Sequence, residues 1–127
     1  MKKCLFLLFV LLCYTQTNLM AQEKKYYCEA RCEPKITGGY VIYLDFGDNQ
    51  EERFSFGKNN DARPVDEKGK DITFPSAASF VNWMVDKGWN LDFKIRETGT
   101  GGYDVYTFSK ITSRSKLKEG IKLKMDK

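Results

Sequence analysis

Two cysteines, Cys28 and Cys32, are the most reactive side chains that follow the N-terminal segment of this sequence. They lie in residues 26–33, where small or apolar residues alternate with charged ones, and this pattern predicts a β-strand with both thiols on one face. In a regular strand their Cα atoms would be about 13 Å apart, whereas a disulfide needs them within about 7 Å. We therefore predict two small buried thiols. A bend near Ala30 would allow the alternative, a Cys28–Cys32 disulfide.

The sequence contains no histidine, the commonest general base and metal ligand near neutral pH. It also has no Gly-x-Ser-x-Gly elbow and no P-loop. Cys28 and Cys32 by themselves cannot complete a tetrahedral zinc site. We therefore predict no catalytic residue, no metal and no cofactor, and expect a protein that is not an enzyme.

Four carboxylates, Asp45, Asp48, Glu51 and Glu52, cluster around a predicted hairpin turn. Carboxylates in such a cluster could hold Ca²⁺ or act as an acid–base pair on a glycan. Their spacing matches no EF-hand loop, so a solvated acidic turn is the simpler interpretation. The alternative function that depends on carboxylates is a small hydrolase acting on envelope carbohydrate.

Two aromatic residues are candidates for a partner surface. Trp83 falls at the edge of the apolar stripe of a predicted helix, either as a partly buried cover over Lys87 and Phe80 or as an exposed anchor. Tyr43 lies on the predicted outward face of a strand and is a weaker candidate of the same kind.

The elements that must position these residues follow from hydrophobic periodicity. Ser76 is a predicted N-cap and Gly88 a predicted terminator, so a helix is expected over 77–87. Alternating residues predict β-strands over 24–33, 40–46, 52–57, 89–95 and 103–110. The strand after the helix is predicted to point Trp89, Leu91, Phe93 and Ile95 into the core.

Hairpin-linked strands and one helix that crosses back predict an α+β fold of two layers. The sheet is expected to be antiparallel, with about five strands and the main helix packed on one face. A single domain is predicted over 22–112.

The first 21 residues have the order of an export signal. Lys2 and Lys3 precede an apolar run over 4–14, and Ala21 ends the segment with a small residue. The run is shorter than the roughly 20 residues that cross a membrane, so we predict cleavage after Ala21 and a periplasmic or secreted protein. A lipid anchor on Cys13 and an uncleaved anchor are the alternatives.

Removing the signal leaves 106 of the 127 residues and reduces the net charge from +4 to +2. This near-neutral balance argues against a nucleic-acid partner. The last residues, 113–127, are rich in lysine and are predicted to form a solvated basic tail with short apolar contacts at Ile121 and Leu123. Such a tail could contact an anionic surface.

The stretch from Phe74 to Leu91 resembles a segment of small exported proteins of gut Gram-negative bacteria, which carry an A-L-N-Y-M-x-x-x-G-W-E-like helix–strand motif and form a domain of unknown function. The matching residues are Asn82, Trp83, Met84, Gly88 and Trp89, whereas Asn90 replaces the usual acid. Looser matches occur at 26–29, 45–47 and 119–121. The resemblance implies a fold and an exported location, and it carries no activity or catalytic residue.

Taken together, these patterns favour an exported, non-enzymatic binding or interaction module of the cell envelope. The expected partner is an envelope protein or a glycan, held through a sheet edge or an aromatic surface.

Overall fold

In the part of the chain that the structure describes, the domain is an antiparallel sheet with one helix across one of its faces. The computed structural model describes residues 22–47, 62–98 and 102–124. Its elements are β1 (Lys24–Pro34), β2 (Tyr40–Asp45), β3 (Pro64–Val65), α1 (Ala77–Asp86), β4 (Asn90–Arg96), β5 (Asp104–Thr112), a 3₁₀ turn (Arg114–Lys116) and β6 (Lys122–Leu123).

The first strand of the chain is a central strand of the sheet. The strand order is β2-β1-β5-β4, and β3 and β6 form a separate two-stranded sheet. All pairings are antiparallel, and the longest joins β1 to β5 from Lys24↔Thr112 to Cys32↔Asp104. The predicted α+β fold is confirmed, with four strands of the main sheet in the residues that the structure describes. The predicted strand over 52–57 lies outside the described residues, as do Asp48, Glu51 and Glu52 of the acidic cluster.

Local side chains determine where α1 begins and ends. The amide of Ser79 donates to Ser76 Oγ at 3.1 Å, and the amide of Ser76 donates to Ser79 Oγ at 3.2 Å, which completes a capping box. At the other end Gly88 has a φ of +85°, a conformation that favours glycine. Lys110 Nζ donates to the carbonyl of Lys87, at the end of the helix, at 2.9 Å. The positive charge of Lys110 there also interacts favourably with the negative end of the helix dipole.

The core lies between α1 and the face of the sheet that carries both cysteines. Phe80 and Met84 of the helix are fully buried. The Phe80 ring meets Tyr106 and Phe108 edge-on, with centroids 5.8 and 5.6 Å away. Cys28 and Ala30 beneath them are completely inaccessible to solvent. Small side chains on β1 thus leave room for aromatic residues from α1 and β5.

The C-terminal segment makes the apolar contacts predicted at Ile121 and Leu123, but up to residue 124 it packs on the domain and is not a solvated tail. Leu117, Ile121 and Leu123 are 7%, 7% and 0% exposed and belong to the main core. Leu123 also pairs with Pro64 in the β3–β6 ladder. The described part of this segment, up to 124, is therefore packed on the domain. The lysines between these residues keep their charges at the surface while the apolar side chains turn inward.

The prediction that Trp89, Leu91, Phe93 and Ile95 share one core face is wrong. Trp89 is fully buried, but the other three are 41–55% exposed. The register shifts between Leu91 and Phe93, which leaves Asp92 as an extra residue. This bulge breaks the alternation of side chains along β4. Leu91 pairs with the core residue Phe108, whereas Phe93 and Ile95, after the bulge, lie on the opposite face of the sheet.

Candidate functional site

We call the sheet face that α1 leaves uncovered the open face. Four large apolar side chains on it are well exposed: Tyr27 by 54%, Phe93 by 55%, Ile95 by 48% and Ile111 by 70%. Their placement follows from the register, because Tyr27 pairs with Ser109 and Phe93 with Thr107, residues that alternate with the core-facing aromatics of β5. Exposed apolar residues grouped on one face are typical of interaction surfaces.

The middle of the open face is lower than its rims. Thr107 and Ser109 of β5 are only 7% and 5% exposed, although they point away from α1. Phe93 on one side and Tyr27 on the other are much larger neighbours, which shield these short side chains. Ser109 Oγ also donates to Asp92 Oδ1 at 2.8 Å. The open face thus has a shallow polar floor at Thr107 and Ser109, flanked by Phe93 and Tyr27.

Next to these rims, an arginine is held between two tyrosines. The guanidinium carbon of Arg31 lies 4.7 Å from the ring centroid of Tyr43 and 5.2 Å from that of Tyr103. Arg31 Nε also forms an ion pair with Glu33 Oε1 at 2.8 Å. Tyr43 therefore lies on the outward face of β2, as its sequence position predicts, but its ring already packs against Arg31. Sequence reasoning missed Arg31 and Tyr103, because only the strand register brings them to Tyr43.

The edge of the sheet at β4 is open. All seven residues of β4 are exposed, and no residue in the described parts of the chain pairs with its outer side. The amide of Glu97 donates to the carbonyl of Tyr103 at 3.0 Å. Since bonded and non-bonded pairs alternate along an antiparallel ladder, the backbone groups of Lys94 and Arg96 point outward. At the opposite edge, by contrast, β2 is partly covered by a bridge between Tyr40 and Phe74.

Three charged residues missed by the sequence analysis meet beside this edge, on the helix side of the sheet. Lys94 Nζ lies 3.0 Å from Asp104 Oδ2, and Arg96 Nε lies 3.0 Å from Asp104 Oδ1. The hydrogen bond from Lys94 and, to a smaller extent, the hydrogen bond from Arg96 lower the pKa of Asp104 below its usual value. Asp104 pairs with Arg96 across the ladder, so the cluster depends on strand register and could not be read from spacing along the chain.

Both cysteines of β1 are buried on one face of the strand, and neither is in a disulfide. The disulfide alternative between Cys28 and Cys32 is therefore not formed in this structure. Burial, together with the nearby Asp104 carboxylate, raises the pKa of Cys32 to about 11. A thiol with such a pKa is protonated at neutral pH, and it is a poor nucleophile and metal ligand.

Trp83 lies on the other side of the molecule, in a depression of about 390 Å³ between α1, the β3 region and the C-terminal segment. Its ring meets Phe74 edge-on with centroids 5.6 Å apart, and Lys87 Nζ lies 5.6 Å from its centroid. The lysine stem in turn packs against Gly120. Trp83 is thus a half-buried cover next to Phe74 and Lys87. The fold does not bring it together with Tyr43.

Comparison of the chain with protein families, curated proteins and solved structures finds no match. No helix in residues 22–47, 62–98 or 102–124 is long and apolar enough to cross a membrane. The predicted export segment, including Cys13 and Ala21, lies outside these ranges.

Proposed function

We propose that this chain is an exported, non-enzymatic interaction module that binds a protein partner through the open face and the adjoining β4 edge. One observation carries the proposal: Tyr27, Phe93, Ile95 and Ile111 expose about half or more of their surface on the same sheet face. The helix side has only Val85 and Leu91 as comparably exposed large apolar residues within its described elements.

The composition of this surface suits a protein partner. Aromatic residues and arginine are enriched where proteins bind one another, and Tyr27, Phe93 and the Arg31 sandwich supply both types. Fully burying one large apolar side chain contributes about 1.5–3 kcal/mol. Several such side chains, half exposed here, would contribute part of the free energy that a specific contact needs to offset the cost of association.

Two features support the non-enzymatic part of the proposal. The chain has no histidine, and the raised pKa of Cys32 disfavours a reactive thiolate. A carboxylate-based hydrolase needs a carboxyl group whose pKa is raised, so that it can donate a proton. Asp104 has the opposite shift because Lys94 and Arg96 hold its charged form.

Export is the part of the proposal that rests on the sequence. Residues 1–21 have the charge and apolar order of a signal peptide, and the resemblance to small exported proteins agrees with this. An intact mass measurement on protein expressed from the full-length sequence tests it directly. Cleavage after Ala21 gives a chain that begins at Gln22, whereas a lipid-anchored product begins at a modified Cys13.

The partner surface is tested by affinity capture from envelope extracts, followed by mass spectrometry. Phe93→Ser should remove the captured protein, because it deletes an apolar rim of the open face. Val85→Ser is the matched control, since Val85 is 49% exposed but lies on α1. Equal capture by both variants would contradict the proposal, as would selective loss with Val85→Ser. Thermal unfolding of each variant confirms that both remain folded.

A further inference from the structure

We infer that the open edge of β4 accepts an extended peptide that alternates acidic and apolar residues and adds to the sheet as a fifth strand. This inference rests on the proposed function and names the chemistry of the partner. Its basis is the combination, on one edge strand, of outward backbone groups, apolar side chains on one face and basic side chains on the other.

The backbone of β4 is suitable for strand addition. Its seven residues are extended, exposed and paired on one side only within the described chain. The outward amides and carbonyls of Lys94 and Arg96 would form the ladder with an incoming strand. Main-chain hydrogen bonds of this kind give affinity in strand addition, while alternate side chains give specificity.

The side chains of β4 determine which peptide fits. Phe93 and Ile95 point to the open face, where apolar side chains of the added strand would extend the rim. Lys94 and Arg96 point to the helix side, where they share the single carboxylate of Asp104. This leaves one positive charge in excess, and the Arg96 side chain is 72% exposed. A carboxylate on the added strand opposite these residues would balance it.

In the two registers centred on Lys94 and Ile95, the same charges disfavour a second copy of this chain as the occupant. A twofold axis through Lys94 in an antiparallel pairing places Lys94 opposite Lys94, and an axis through Ile95 places Lys94 opposite Arg96. Like charges directly opposite one another destabilise a strand pair. Lysine on an exposed edge is a common means by which proteins prevent self-pairing.

The experiment uses a blocked, labelled peptide that alternates glutamate and valine over the length of β4, seven residues. Valine is chosen because it favours strands. Fluorescence anisotropy is followed with protein expressed from the full-length sequence. The glutamate–valine peptide should bind, and a lysine–valine peptide of the same length should not. A proline at the centre should abolish binding, because it removes a ladder donor.

A charge-reversal variant tests whether Arg96 selects a peptide with acidic side chains. Arg96→Glu should weaken binding of the glutamate–valine peptide at least about fivefold and allow the lysine–valine peptide to bind. Lys116→Glu, with the same charge change on the exposed 3₁₀ turn, should leave both results unchanged. Comparable binding of both peptides to the unmodified protein would overturn the inference, as would no binding of either.

Sedimentation of the protein alone tests whether a second copy of this chain occupies the β4 edge. A dimer that Arg96→Glu strengthens or abolishes would assign the edge to a second copy and overturn the inference. These negative results on peptide binding and dimer formation can be distinguished from failure of the proposed function, which is tested by partner capture. Loss of capture with Phe93→Ser but not Val85→Ser would still support a partner on the open face if the peptide did not bind β4.

Discussion

Ser109 Oγ donates a hydrogen bond of 2.8 Å to Oδ1 of Asp92, the extra residue in the β-bulge of β4. The bond holds the bulge against the neighbouring strand at the point where the register shifts. The same shift turns Phe93 and Ile95 toward the open face. One side-chain hydrogen bond therefore links the local geometry of the edge strand to the proposed partner surface.

Removal of this bond should loosen the edge strand. Ser109→Ala removes the hydroxyl that donates to the exposed Asp92 carboxylate, and we expect a loss of about 0.5–1.5 kcal/mol in the free energy of unfolding. Urea denaturation measures the loss. Thr37→Ala, in the exposed β1–β2 turn, is the control and should change stability by less than about 0.5 kcal/mol. Equal effects of the two substitutions would show that the bond does not stabilise the bulge.

Stability should fall at acid pH partly through Asp104. Its pKa is lower in the folded protein than its ordinary value of 3.8, so its contribution is present above that value and disappears as the pH falls through the folded pKa. Asp104→Asn should therefore flatten the acid side of a plot of melting temperature against pH. An unchanged acid slope would contradict a stabilising role for the Lys94 and Arg96 pairs.

The thiols should be unreactive until the protein unfolds. Cys28 and Cys32 are 0% and 2% exposed, and the pKa of Cys32 is raised to about 11. A thiol reagent at neutral pH should label neither in the native protein and both in denaturant. Labelling of native protein would show that β1 opens. A missing pair of reactive thiols after denaturation without reductant would reveal a disulfide.

Trp83 should contribute to stability rather than to partner binding. Its ring packs against Phe74 and Lys87, so Trp83→Ala should cost about 1–3 kcal/mol of unfolding free energy. Capture of the partner by the folded variant should persist. Loss of capture without loss of stability would instead place the partner at the depression that Trp83 lines.

The C-terminal segment should be required for the fold. Leu123 is fully buried in the core, and Leu123→Ala should destabilise the protein by about 2–5 kcal/mol. Lys122→Ala, at the exposed neighbouring position, should have little effect on chemical denaturation. If both substitutions were neutral, the packing of this segment on the domain would be refuted.

The sequence alone predicted features that depend on neighbours along the chain. Ser76 and Gly88 bound the helix because capping and the left-handed turn involve residues a few positions apart. Alternation placed Cys28 and Cys32 on one buried face, since the side-chain period of a strand is two. The α+β class followed from the order of these elements.

Tertiary structure decided which strands became edges and which faces stayed open. The bulge at Asp92 depends on pairing with β5, and a single extra residue exchanges the faces of Phe93 and Ile95. Arg31 meets Tyr103, and Lys94 meets Asp104, only through strand register. Burial of Leu123 likewise requires a pairing with β3, about 60 residues earlier in the chain. Such long-range pairings are governed by the packing of the whole domain, and local sequence patterns do not contain them.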